Sequence, residues 1–211
     1  MNKRLAWNFE ITGDSLFTLP IINSDDSPGI HWESRYFWRE SDIIILSGLD
    51  ERFLDLSRYT IKHRTDTYFL LPDADYNIKM RREALVYKPM VKRTPRAIAF
   101  GKKVKLAQCT SDIVDTDGQR IDPRALLQRI HQQGESVRVD KEALIYKFET
   151  PAASQLELAR LTIDSTIYFS VSIESPALET VEHLTTSLLK TEPSSDYVTF
   201  LKHRALSCHP C

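Results

Sequence analysis

Polar and apolar residues alternate over several stretches of the chain, which is the pattern of a half-buried β-strand. In residues 168–174, for example, three apolar side chains alternate with Ser170, Ser172 and Glu174. Because successive side chains of a strand point to opposite faces, each such stretch has one apolar and one polar face. The same pattern predicts strands over residues 6–11, 30–38, 62–69, 77–81, 84–88, 136–148 and 155–163.

Capping residues and prolines predict the helices. Asp122 followed by Pro123 is typical of a helix start, so we predict a helix over residues 124–133 that ends at Gly134. Ser175-Pro176 opens a second helix that runs to about residue 190. The remaining predictions are a helix over residues 197–204 capped by residues 194–196, a short helix over residues 47–56, tight turns at residues 24–29 and 82–83, and a hairpin over residues 92–106 that bends near Gly101.

The polar faces of the predicted strands carry charges of both signs, and this shapes the predicted fold. Strands joined by hairpins and short connections, with a few helices, indicate the α+β class with a mostly antiparallel sheet. If the helices pack outside on the apolar faces, the charged faces must line an interior. A closed or nearly closed sheet with an ionic interior and short helices outside meets both demands.

The balanced charge of the chain excludes a partner that is recognised by overall charge alone. The chain has 211 residues, with 28 Lys and Arg against 29 Asp and Glu, so its net charge of −1 does not draw it to nucleic acid or to an anionic membrane. No apolar run is long enough to span a membrane, and residues 1–4 do not open a secretory signal. Three cysteines at positions 109, 208 and 211 do not suggest a disulfide framework, so we expect a cytoplasmic protein.

Charged residues that share a strand face form the candidate site. Lys62, Arg64 and Asp66 share one face, and Lys79 and Arg81 share a face of the next strand. Lys and Arg neutralise and orient phosphate, whereas carboxylates among them make sense if they hold a hard divalent cation. The plain alternative is that each charged face is the solvent side of a half-buried sheet. The candidates on the other strands are His31, Glu33, Arg35, Lys88, Arg138, Asp140, Lys147, Glu157 and Glu174.

Taken in order, the segments from residue 30 to residue 204 resemble one family, the CYTH domains or triphosphate tunnel metalloenzymes. The family includes class IV adenylate cyclases and thiamine, inorganic and RNA triphosphatases. Asp66-Thr67-Tyr68-Phe69 is similar to its D-T-Y-F/Y strand. The other matches are residues 77–81 to its L-R-I-R strand, residues 85–88 to its T-Y-K segment, residues 155–159 and 172–174 to its late acidic strands, and residues 194–201 to its S-Y-x-x-x-L helix.

The resemblance implies an eight-stranded antiparallel β-barrel that forms a tunnel, with phosphate held by Arg and Lys and with Mg²⁺ or Mn²⁺ held by Glu. Two acidic positions of the family pattern differ. Its E-x-E-x-K strand corresponds to residues 31–35, where His31 replaces the first glutamate and Arg35 replaces the lysine. Ser172 stands where the first acid of the late E-I-E segment is expected.

The function that the resemblance implies is divalent-metal-dependent hydrolysis of inorganic, nucleoside or thiamine triphosphate. A non-catalytic module that binds polyphosphate or nucleotide is the alternative, which His31 and Ser172 favour, and adenylate cyclisation is a less favoured variant. The expected catalytic residues are Glu33, Asp66 and Asp140; the expected phosphate ligands are Arg35, Lys62, Arg64, Lys79, Arg81, Lys88, Arg138 and Lys147; the expected metal ligands are Glu33, Glu157 and Glu174.

The resemblance also suggests domain limits and partners. Residues 1–29 are expected to form an N-terminal extension of a strand and a turn, residues 30–205 the tunnel domain, and residues 206–211 a flexible tail. The expected partner is a small triphosphate or polyphosphate. Nucleic acid is not expected, because the basic block of residues 92–105 lacks the interleaved aromatic residues on which bases stack. The sequence leaves the oligomeric state open.

Overall fold

The structure is a computed structural model that describes residues 2–12, 29–114, 118–149, 153–189 and 194–207. The strands are β1 (Lys3–Ala6), β2 (Phe9–Ile11), β3 (His31–Arg39), β4 (Ile44–Leu46), β5 (Thr60–Leu70), β6 (Asn77–Arg81), β7 (Ala84–Lys88), β8 (Met90–Arg93), β9 (Ile98–Phe100), β10 (Val104–Lys105), β11 (Ile113–Val114), β12 (Arg120–Ile121), β13 (Glu135–Phe148), β14 (Ser154–Ile163) and β15 (Thr166–Ser175). The α-helices are α1 (Pro123–Gln133), α2 (Leu178–Leu188) and α3 (Tyr197–Ser207). None of the helices in the described ranges has the length and apolar character needed to cross a membrane.

The main element is a ten-stranded antiparallel sheet in the order β10-β7-β6-β5-β13-β14-β15-β3-β9-β8. The sheet curls strongly, because Lys88 of β7 reaches Glu33 of β3, six places away in this order, at 2.9 Å. Only Pro89 separates β7 from β8, so the chain itself links the two ends of the sheet. The predicted α+β class is confirmed, but the closed eight-stranded barrel is corrected, since the sheet has ten strands and an open hydrogen-bonded order.

The convex face of the sheet carries the larger apolar core. A small sheet of β1, β2 and β4 and helix α2 pack here against the apolar side chains of β13, β14 and β15. Phe169, Val171 and Ile173 of β15 are among these residues, as the alternation in the sequence predicts. Helix α1 packs on the same side of the sheet, where its Leu126 and Ile130 join a cluster with residues of β6 and β7.

The concave face is divided into an apolar end and a charged end. Helix α3 lies in the apolar end, where Tyr197, Val198 and Leu201 pack against inward-facing residues of β5, β13 and β14. The segment before α3 is fixed to β3, because Arg35 donates its backbone N–H to Ser194 and accepts from the backbone N–H of Ser195. The expectation that all helices lie outside the sheet is therefore wrong for α3, and the helix limits the charged part of the concave face to the opposite end.

Three local predictions differ from the structure. Residues 6–11 form two strands rather than one, because Trp7 adopts a positive φ of 47° and the chain reverses there. The hairpin of β8 and β9 turns at residues 94–97, where the Thr94 backbone N–H donates to the Ala97 carbonyl, and not near Gly101. The predicted helix over residues 47–56 is replaced by two 3-10 turns, Glu51–Leu54 and Leu56–Arg58.

The predicted turns and helix starts are largely confirmed. Arg82 and Glu83 have φ values of 49° and 62°, which is the backbone of a type I′ hairpin turn. The Asp122 carboxylate accepts from the backbone N–H of Arg124, and the Asp196 carboxylate caps α3 in the same way. The predicted turn at residues 24–29 lies almost entirely outside the described residues, as do the last two cysteines.

Candidate functional site

A buried network of charged side chains occupies the charged end of the concave face. Every second residue of a strand points inward, so neighbouring strands bring charges that are distant in sequence into contact. Glu33, Arg35, Asp66 and Glu157 are each less than one-tenth exposed. Charged groups buried this deeply are costly unless they are paired and hydrogen-bonded, and each of these four has such partners.

Arg35 is the centre of the network. Its Nε donates to Glu33 Oε1 at 2.8 Å, and its Nη1 donates to Glu157 Oε1 at 3.2 Å and to the Ser170 hydroxyl at 3.1 Å. Nη2 lies 3.9 Å from Glu174 Oε1. The guanidinium carbon also stands 4.8 Å from the centre of the Tyr197 ring, a cation–π distance. One arginine therefore satisfies carboxylates from three strands.

Asp66 positions two basic side chains of β6. Arg81 Nε donates to Asp66 Oδ1 at 2.6 Å, and Lys79 Nζ donates to Asp66 Oδ2 at 3.0 Å. Lys79 Nζ is also 3.2 Å from the Tyr68 hydroxyl. Because both oxygens of Asp66 are engaged, this carboxylate orients cations and does not stand free to take a proton from a substrate.

The carboxylates of the network are held in the ionised form. Burial alone would raise the pKa of Glu157, but the charges of Lys141 and Arg35 outweigh it and lower the pKa to about 2. At Glu33, the charges of Lys88 and Arg35 likewise outweigh burial and lower the pKa well below the usual range. At Asp66, the hydrogen bond from Arg81 and the charge of Lys79 overcome burial and lower the pKa to about 2.

Lys79 differs from the other cations of the network. Burial disfavours its charged form more than Asp66 favours it, and the nearby charge of Arg81 adds repulsion, so the pKa of Lys79 is lowered to about 7. An additional negative group beside Lys79 would favour its protonated form. The neutral amine of Lys79 should therefore gain a proton when an anion binds.

A basic pocket of about 600 Å³ opens beside this network, between the first half of β5, the hairpin of β6 and β7, and β10. It is lined by His63, Arg64, Arg81, Arg82 and Lys105 together with three uncharged residues. No carboxylate belongs to this lining, although Asp66 behind it holds Arg81 and Glu142 lies 3.8 Å from His63.

Lys103 adds a further positive charge near these cations. Partial burial lowers the pKa of Lys103, and the charges of Lys88, Arg81 and Arg64 contribute in the same direction, with only Glu174 opposing them. These cations therefore lie within electrostatic range of one another. Bringing like charges together is unfavourable, and an anion between them would relieve the repulsion.

Most of the candidates from the sequence meet at this end of the groove. Lys62, Arg64 and Lys147 have the inward orientation, but Lys62 and Lys147 are exposed at the open end and Arg64 is half-buried. His31 is exposed there as well. The members of the network itself are Glu33, Arg35, Asp66, Lys79, Arg81, Lys88, Glu157 and Glu174.

Arg138 and Asp140 do not belong to the site. In the register of β5 and β13, Asp140 lies opposite Thr65, whereas Asp66 lies opposite Val139, so Asp140 and Asp66 point to opposite faces. Asp140 accepts hydrogen bonds from Arg138 and Thr65 on the outer face. The catalytic role predicted for Asp140 and the phosphate contact predicted for Arg138 are corrected on this ground.

The sequence reasoning missed Lys141, which is 8% exposed and donates to Glu157 Oε1 at 2.8 Å. The alternation of side chains along β13 indicates that Lys141 faces inward. Leu144, Tyr146 and Phe148 form the apolar set of β13, so the odd-numbered residues face inward and Lys141 is among them. Tyr197, Lys103 and Lys105 were also missed, since none of them lies on a strand that was predicted to line the interior.

Two buried hydroxyl groups of the groove have no partner among the described residues. Ser172 Oγ and Tyr197 OH are buried and form no hydrogen bond with any described residue. Both lie near Arg35, because Ser172 pairs in register with it and the Tyr197 ring faces its guanidinium. An unsatisfied buried hydroxyl costs about 1–3 kcal/mol, so these groups indicate a place where a polar ligand or water completes the network.

The expected Mg²⁺ or Mn²⁺ site does not fit the donor groups present. Both oxygens of Glu33 accept from cations, Arg35 and Lys88, and Glu157 Oε1 accepts from Arg35 and Lys141. Within the described part of the chain, no group of three or more His, Cys, Asp or Glu side chains is arranged to hold a metal ion. A hard divalent cation needs several free oxygen ligands, and these oxygens are occupied by ammonium and guanidinium groups.

Comparisons with known proteins give little beyond these observations. No family model matches the chain, and no curated protein matches it. One solved structure that aligns with it is a Bacillus halodurans protein described as a "putative adenylate cyclase", with 11% identity over 87% of this chain and 95% of the other and a TM-score of 0.40. At this level of similarity the match does not assign the chain to a family.

Proposed function

We propose that the protein binds a chain of phosphate groups, such as inorganic triphosphate or polyphosphate, at the charged end of its concave face. The observation that carries this proposal is the basic pocket, whose charged lining residues are all cations. Arg64, Arg81 and Lys105 face the pocket, and Arg81 is held in place by Asp66. Guanidinium groups in fixed positions donate paired hydrogen bonds to phosphate oxygens, and lysines add charge.

The buried network extends this pocket into the groove. Lys79, Lys88 and Lys141 belong to this network, and the hydroxyls of Ser172 and Tyr197, which have no partner among the described residues, add donors. A polyanion that reaches inward would meet cations along its length. The carboxylates of the network support these cations, because each one accepts a hydrogen bond from a basic side chain or lies within ion-pair distance of Arg35.

Binding ranks above hydrolysis on the same geometry. The hydrolase that the resemblance implies uses glutamates to hold a metal and a carboxylate to assist the attack of water. Here Glu33 and Glu157 are engaged by Arg and Lys, and Asp66 is engaged by Lys79 and Arg81. A non-catalytic phosphate-binding module needs only the cations, which are present and oriented.

Isothermal titration calorimetry with inorganic triphosphate tests the proposal. We expect a dissociation constant well below about 1 mM for the wild-type protein. Arg81→Ala and Arg64→Ala should each weaken binding by roughly 10- to 100-fold, since a hydrogen bond to a charged group contributes about 1.5–3 kcal/mol. Arg138→Ala is the matched control, because Arg138 lies on the outer face and should leave the affinity unchanged.

Two results would contradict the proposal. One is the absence of any binding of triphosphate by folded wild-type protein. The other is an equal loss of affinity in Arg81→Ala and Arg138→Ala, which would show that only overall charge matters. A parallel phosphate-release assay with Mg²⁺ or Mn²⁺ separates the two functions, because bound triphosphate remains intact if the protein is a binding module and is hydrolysed if it is an enzyme.

A further inference from the structure

The three glutamates expected to hold a metal surround a guanidinium group instead. Arg35 directs Nε to Glu33, Nη1 to Glu157 and Nη2 to Glu174, at 2.8, 3.2 and 3.9 Å. Arg35 is 3% exposed, so this arrangement is inside the protein and not at its surface. Each of the three nitrogens of one planar guanidinium group therefore points to a carboxylate from a different strand.

The oxygens that remain are also largely engaged. Glu33 Oε2 accepts from Lys88 at 2.9 Å, and Glu157 Oε1 accepts from Lys141 at 2.8 Å as well as from Arg35. Glu174 Oε2 accepts from the Gln155 amide at 2.8 Å. A divalent cation placed among these carboxylates would have to displace at least one of these donors and would then lie beside the remaining positive charges.

The geometry points to Arg35, with Lys88 and Lys141, acting as a built-in cation in the position where a divalent metal would otherwise sit. The ligand is therefore the free polyphosphate and not its magnesium complex. This inference rests on the proposed function and adds the chemical form of the ligand. The protein supplies fixed positive charge from its own side chains, and the glutamates hold these side chains in place.

If the ligand is the free polyphosphate, the protein and magnesium compete for it. Mg²⁺ bound to triphosphate removes two units of the negative charge that the basic groove attracts. It also occupies oxygens to which Arg81 and Arg64 would donate. For a protein that uses a metal bridge, by contrast, magnesium would strengthen binding, because the metal would join the glutamates to the phosphate oxygens.

Calorimetric titration of the full chain with sodium triphosphate, first with EDTA and then with a several-fold excess of Mg²⁺ over ligand, tests this inference. We expect binding in EDTA and at least a fivefold weaker affinity with magnesium. Unchanged or tighter binding with magnesium, or binding only in its presence, overturns the inference while leaving the proposed function intact. Absence of binding under both conditions overturns the proposed function and the inference with it.

Direct titration with Mn²⁺, followed by the electron paramagnetic resonance of the free ion, is an independent measurement that needs no ligand. The wild-type protein should leave Mn²⁺ free, whereas a stoichiometric site that Glu157→Gln removes would overturn the inference. Arg35→Met should expose the glutamates and gain Mn²⁺ affinity. The matched control is Arg160→Met, since Arg160 pairs with Glu142 away from the groove. If Arg35→Met does not fold, the wild-type titration alone decides.

Discussion

The charge of Glu157 should contribute measurably to stability in a defined range of pH. Glu157 is 4% exposed and accepts hydrogen bonds from Lys141 and Arg35. Its pKa falls from 4.5 to about 2 on folding, because these two charges outweigh the opposing effect of burial. Since one pKa unit corresponds to 1.36 kcal/mol, the ionised carboxylate contributes about 3 kcal/mol.

The sign of the effect follows from the direction of the shift. A carboxylate whose pKa is lower in the folded state stabilises the protein above its unfolded pKa, and this contribution is lost as the pH falls through its folded pKa. Glu157→Gln should therefore be less stable than wild type by about 3 kcal/mol at pH 6. The difference should shrink to about 1.4 kcal/mol at pH 3 and to about 0.4 kcal/mol at pH 2.

Urea unfolding at a series of pH values measures this difference, with tryptophan fluorescence as the probe because Trp32 and Trp38 pack against the core of the convex face. The matched control is Glu142→Gln. The Glu142 side chain is 41% exposed and its partner Arg160 is 34% exposed, so its loss should cost less than about 1 kcal/mol. Lys141→Met combined with Glu157→Gln should recover part of the loss, because the buried lysine is no longer left without its partner.

A constant difference between wild type and Glu157→Gln from pH 6 to pH 3 would refute this reasoning. It would mean that Gln perturbs packing or hydrogen bonding at this position, and that the carboxylate is not held ionised by its neighbours. A loss in Glu142→Gln as large as that in Glu157→Gln would also contradict it, because burial would then have no bearing on the strength of the ion pair.

Three further predictions concern other parts of the molecule. Because the pKa of Lys79 is about 7, the affinity for triphosphate relative to that of Lys79→Arg should fall as the pH rises from 6 to 8, and equal profiles in calorimetry would contradict this. Ser165→Gly should raise the melting temperature by roughly 2–4 °C in a thermal scan, because Ser165 has a φ of 67° that costs a non-glycine residue about 1 kcal/mol; an unchanged or lower value would count against the strain. Leu201→Ala should lower the free energy of unfolding in urea by about 2–5 kcal/mol, since Leu201 is 1% exposed inside the concave face, and a negligible loss would show that α3 does not pack there.

The strands and their two faces could be predicted from the sequence because the period of a strand is a local property. The alternation in residues 168–174 gives the apolar face of β15, and Ser170 and Glu174 are on the charged face as expected. Helix starts are local as well, as Asp122 and Asp196 show through their capping hydrogen bonds. The basic residues Arg35, Lys79 and Arg81 were found in the same way.

One error was avoidable from the sequence alone. Arg138 and Asp140 occupy even positions of β13 and Lys147 an odd one, so these three cannot share a face of a regular strand. The apolar set Leu144, Tyr146 and Phe148 fixes which side is inward, and Lys141 then replaces Arg138 and Asp140 as the candidate.

Which charges come into contact depends on the tertiary structure. An antiparallel sheet with one charged face could be inferred from the sequence, because side-chain alternation needs no partner. The sequence could not determine that Arg35 reaches Glu157 and Lys88 reaches Glu33, since these contacts join residues 122 and 55 positions apart and depend on strand order and curl. The sequence also could not place α3 inside the groove. Through these long-range contacts, the glutamates expected to bind metal pair with arginine and lysine instead. A buried carboxylate is costly unless it is paired, so it forms ion pairs with the cations that the fold brings next to it.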